Sequence, residues 1–69
     1  MTDKHPLAVW REAQVPPVTQ AALAVRAKTS RWMINSIETG RRKPGRDLMV
    51  RIAAETGNAV GLAELAHAA

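Results

Sequence analysis

The chain contains no cysteine, no tyrosine and no phenylalanine. Without cysteine, neither a disulfide nor a cysteine-ligated zinc can staple the fold, and the absence suits a reducing compartment. With two tryptophans as the whole aromatic complement, Leu, Ile, Val, Met and Trp10 must build nearly the entire core. No apolar run approaches the ~20 residues of a membrane span, and the opening MTDKHPLAVW lacks a signal-peptide hydrophobic block. A cytoplasmic protein that does not enter membranes is expected. The two histidines, His5 and His67, sit near opposite ends and read as solvated terminal residues; two alone make no metal site. No nucleophile, paired carboxylates or glycine-rich phosphate loop is visible, so neither an enzyme nor a cofactor is expected.

Sixty-nine residues make one small domain, read here as a tail over 1–5 and a domain over 6–69. The apolar fraction of 46% includes thirteen alanines, which favour helix and allow helices to pack closely. The expected fold is all-α, a compact bundle of about five short helices.

Charge is unevenly spread. Between Arg26 and Arg46 lie seven basic residues and one acid, Glu38, giving +6, while the remainder has three bases and five acids, giving −2. A focused basic patch favours a polyanion, most often nucleic acid. The RRK run alone would equally suit a solvated loop, so its weight depends on where it falls in the fold.

Punctuation divides the chain into five segments. Pro6 suits the first turn of helix one, and Val15-Pro16-Pro17-Val18 ends that helix. Thr19 caps a second helix from Gln20 to about Ala27, with Leu23 and Ala24 inward. Ser30 caps a third running to about Thr39, and Gly40 supplies a left-handed stop. Asp47 is placed as the cap of the fourth, which carries Leu48, Met49, Ile52, Ala53 and Thr56 and stops at Gly57. A fifth is expected within Val60 to Ala68, where Leu62 and Leu65 are the candidates for an interface between two copies.

Residues 19–44, TQAALAVRAKTSRWMINSIETGRRKP, resemble the helix-turn-helix of the Cro/CI-type (Xre) DNA-binding regulators. The pattern is carried by Thr19, Gln20, Leu23, Ala24, Ser30, Ile34, Glu38, Gly40, Arg41, Arg42 and Pro44, and with flanking helices the likeness covers about 6–66. It implies a lambda-repressor-like domain with the helix-turn-helix at 19–39. The chain departs from the pattern at Lys28, where a glycine is usual, at Thr29, where a small aliphatic is usual, and in VPPV, which lengthens the first link. A left-handed Lys28 would cost roughly 1 kcal/mol relative to glycine; a phosphate contact is one compensation, strain without purpose the other reading. In relatives a glutamate at the Glu38 position commonly pairs with an arginine on helix one, and Arg11 is the candidate; an exposed acid that merely moderates the patch is the alternative.

At 100° per residue, Trp32 lies about 200° from Ile34 and about 140° from Ile37, opposite the inward side. The outer face is then Ser30, Arg31, Trp32, Asn35 and Ser36, the positions at which the resembling family reads base edges in the major groove. Arg31 suits guanine O6 and N7, Asn35 suits adenine, and Trp32 offers an apolar plate for a thymine methyl or the backbone. Trp32 equally suits packing over a loop or a protein partner, since an exposed indole is a common interface anchor. Phosphate contacts are expected from Gln20, Lys28, Thr39, Arg41, Arg42 and Lys43.

The resemblance implies a sequence-specific transcriptional regulator of phage, prophage or plasmid type, a repressor or Cro-like switch. Its partner would be double-stranded DNA bearing a palindromic operator, bound by a homodimer. An antitoxin-type autorepressor, or a protein-interaction module anchored by Trp32, are the alternatives.

Overall fold

The computed structural model describes residues 4–67, with side chains to Ala66. Met1 to Asp3 of the expected tail, and the expected end of the last helix at Ala68, lie outside the described residues, as does the side chain of His67. Five helices follow one another: α1 Pro6–Ala13, α2 Gln20–Arg26, α3 Arg31–Glu38, α4 Arg46–Glu55 and α5 Leu62–His67.

The first helix starts where Pro6 predicts, but its cap is His5. The imidazole Nδ1 accepts the Leu7 N–H at 3.0 Å. His5 is only 7% exposed, which corrects the expectation of a solvated terminal residue. Accepting at Nδ1 requires a neutral ring, and burial holds its pKa below the ordinary 6.5, against the opposing pull of Glu38 and Glu64. The unfolded chain therefore takes up a proton near pH 6.5 that the native state refuses. His5 supports the fold above that pH, and its contribution is lost as pH falls from 6.5 through the lowered native value. A scan of thermal midpoint against pH should show wild type losing stability over that window relative to His5→Asn, which keeps a capping acceptor without titrating. Parallel curves would refute the assignment.

The other ends follow local chemistry. Thr19 and Ser30 cap α2 and α3 by accepting the N–H of Ala22 and of Met33, both at 3.0 Å. The C-termini of α2 and α3 close by one pattern. Thr29 N–H returns to Ala24 O (2.9 Å) and Lys28 N–H to Val25 O (3.2 Å); Arg41 N–H returns to Ser36 O (2.9 Å) and Gly40 N–H to Ile37 O (3.1 Å). Each closure needs a left-handed residue. Gly40 (φ 77°) takes it without strain, whereas Lys28 (φ 56°) carries a Cβ there. Lys28→Gly should therefore raise stability by about 1 kcal/mol, read from urea midpoints. No gain would mean that the turn relaxes around lysine.

Helix α4 departs from expectation. Its cap is Gly45, with no side-chain bond, and Asp47 sits inside the first turn. Buried Pro44 lies just ahead, and Gly45 is extended (ψ 168°), so the cap falls immediately after the proline and Asp47 lies two residues too deep to cap. There its carboxylate still faces the positive end of the helix.

Leu7, Leu23, Ile34, Ile37, Ile52, Val60 and Leu65 lie at the centre, with Ala24 and Ala27 where α2 meets α3. Trp10 is partly buried and packs against this cluster. Leu65 is fully buried and so does not serve the interface expected of it; α5 spends that side chain on the core and leaves Leu62 outside at 41% exposure.

Candidate nucleic-acid interface

The acid isolated in the basic segment is the keystone of this region. Arg11 grips Glu38 with both arms, Nε to Oε2 and Nη2 to Oε1, each at 2.9 Å, while its Nη1 donates to Val18 O at 3.1 Å. The side chains are only 12% and 7% exposed. The hydrogen bond to Glu38 holds the Arg11 pKa above its ordinary value. The longer VPPV link does not disturb this geometry, because Val18 N–H is tied back to Arg11 O at 3.0 Å. The pair anticipated between the first and third helices is present.

Gln20 extends the chain of contacts outward. Its amide Nε2 donates to Glu38 Oε1 at 2.9 Å and to Asn35 Oδ1 at 3.3 Å. This revises its expected place on phosphate: both amide hydrogens go to a buried carboxylate and to Asn35 on the outer side of α3. A charged acceptor is the stronger partner, so Gln20 turns inward. Asn35 is exposed, and its Nδ2 hydrogens and one Oδ1 lone pair remain uncommitted among the described residues.

Arg31, Trp32 and Asn35 line one open surface depression. Trp32 is 57% exposed, as its angular position requires. Ser30 is exposed beside them, its Oγ committed to the cap. Ser36 is the exception, with only 1% exposure, and is removed from the base-reading set. Its helical angle was outward, but the chain beyond Gly40 folds back, with Arg41 and Arg42 N–H both donating to Ser36 O at 2.9 and 3.2 Å. A helical wheel does not see that return of the chain.

Of the expected phosphate contacts, Lys28, Arg41 and Lys43 are exposed and make no side-chain bond among the described residues. Thr39 is exposed too, but its hydroxyl donates to Asn35 O at 2.9 Å within the helix. Arg42 lies with its guanidinium carbon 5.0 Å from the centre of the Trp32 ring.

Arg51 was not anticipated. From α4 its Nε donates to Ala27 O at 2.7 Å, fastening the turn between α2 and α3 to the next helix. An arginine in the middle of α4 carried no pattern that pointed to a distant carbonyl.

No curated protein and no solved structure matches the chain. A family model described as helix-turn-helix matches residues 18–65, from just before the α2 cap into α5. That span is well over half of the chain, and it holds both helices of the motif, the basic loop and the supporting α4. The chain belongs to the Cro/CI-type (Xre) helix-turn-helix family of DNA-binding domains.

Proposed function

We propose that this protein is a sequence-specific, non-enzymatic transcriptional regulator, a small phage, prophage or plasmid-type repressor or Cro-like switch working in the cytoplasm. The observation that carries the reading is the exposed face of α3. There Arg31, Trp32 and Asn35 line one depression, backed by a helix anchored through Ile34 and Ile37. In this reading α3 enters the major groove, Arg31 takes a guanine and Asn35 an adenine. Lys28, Arg41 and Lys43 neutralise flanking phosphates, setting the register without choosing sequence. Two copies act together on a palindromic operator, their half-sites about 34 Å apart.

Selection of bound sequences from random duplex DNA is the decisive experiment. Wild type should yield a two-fold symmetric motif, and Arg31→Ala should lose about 1–3 kcal/mol of discrimination at one base pair per half-site. Weak, equal binding to every duplex would overturn the reading. It would turn attention to the half-exposed Trp32 as the anchor of a protein partner, such as the toxin of an autorepressing antitoxin.

A further inference from the structure

Arg42 lies beyond α3, in the basic run whose ordinary use is to hold phosphate. Its placement is unlike that of its neighbours. The two N–H bonds of Arg41 and Arg42 to Ser36 O turn the chain back at the end of α3. Pro44 is buried a little further on. This return brings the Arg42 guanidinium over the Trp32 ring, 5.0 Å from its centre. Trp32 in turn shares its depression with Arg31 and Asn35. Arg42 is therefore on the reading face, while Lys28 and Lys43 flank it in sequence.

We infer that Trp32 and Arg42 form a composite reader that recognises one further guanine, beyond the bases taken by Arg31 and Asn35. The inference rests on the DNA-binding reading above. The guanidinium lies over the ring at cation–π distance, and among the described residues Arg42 makes no side-chain hydrogen bond or ion pair, so its in-plane N–H groups are unspent. Those groups form a planar fork matching guanine O6 and N7. The indole keeps this long side chain from sampling many rotamers, so less freedom is lost when it meets a base. It also presents an apolar plate beside the contact, which excludes water and strengthens it.

A phosphate contact and a base contact leave different traces. A lysine replaces arginine well against a phosphate and poorly in a stacked, two-pronged contact to a base. The test is sequence selection from random duplexes by wild type, Arg42→Lys, Arg42→Ala and Trp32→Ala, followed by titration of the selected operator and its single-base variants. If Arg42 reads a guanine, Arg42→Lys and Arg42→Ala each lose about 5- to 150-fold of preference at one base pair and leave the others unchanged. Trp32→Ala should weaken preference at that same base pair, and adding Arg42→Ala to it should cost little more there. If both Arg42 variants keep the wild-type motif and merely bind every site less tightly, Arg42 is a phosphate contact and the inference falls alone. If wild type selects no motif, the DNA-binding reading falls and takes this inference with it.

Discussion

Replacing Arg11 with methionine is expected to destabilise the domain by about 3 kcal/mol, the usual result of removing one member of a buried pair. At 12% and 7% exposure neither side chain has water to replace its partner. Among the described residues Glu38 would keep only the Gln20 amide, and a carboxylate with one neutral donor is poorly compensated. For a domain of this size the thermal midpoint should fall by about 12–24 °C, read by far-UV circular dichroism at pH 7. The double variant Arg11→Met/Glu38→Leu separates a buried charge from lost packing. With both charges gone it should recover most of the loss, because a buried ion pair contributes little beyond satisfying itself. A double variant as unstable as the sum of the two single changes would show that the two residues act independently.

The affinity for operator DNA should fall about a thousand-fold when salt is raised from roughly 50 to 200 mM. Lys28, Arg41 and Lys43 are exposed and uncommitted among the described residues. Two protomers would then neutralise about six phosphates, giving a slope of log affinity on log salt near −5. The slope also reports assembly. A value near −3 on the full operator would mean that one protomer binds alone, and a nearly flat line would end the case for a polyanionic partner. Lys28→Gly makes an internal control, since it should shave about one unit per bound protomer from the slope while making the free protein more stable.

Most of the architecture was legible in residues that act on their own backbone. Thr19, Ser30 and Gly40 mark helix ends by bonds or torsions that span only a few positions, and each does what its chemistry implies. The inward run Leu23, Ala24, Ile34 and Ile37 was equally plain, because helical periodicity is local. What escaped was decided by chain from elsewhere. Ser36 is outward on its own helix by angle, yet it is buried where the segment after Gly40 returns to bond its carbonyl. Gln20 has the chemistry for a phosphate, but a carboxylate eighteen positions away holds it. His5 looked like a tail residue until the packed interior closed around it, and the Arg51 bond to Ala27 joins residues with no shared pattern. Asp47 failed for a smaller reason: a proline displaced the start of the helix by two positions.

The paired closures around α3 also bear on how such a domain would meet its target. Ser30 pins the front of the helix, Gly40 and Arg41 lock its rear, and Arg51 holds the preceding turn. The backbone of the reading element is thus ordered before any encounter, and its loss of conformational freedom belongs to folding alone. Association then has no helix left to nucleate. Selectivity among sequences would come from the fit of a rigid surface, with DNA rather than protein supplying whatever bending the complex requires.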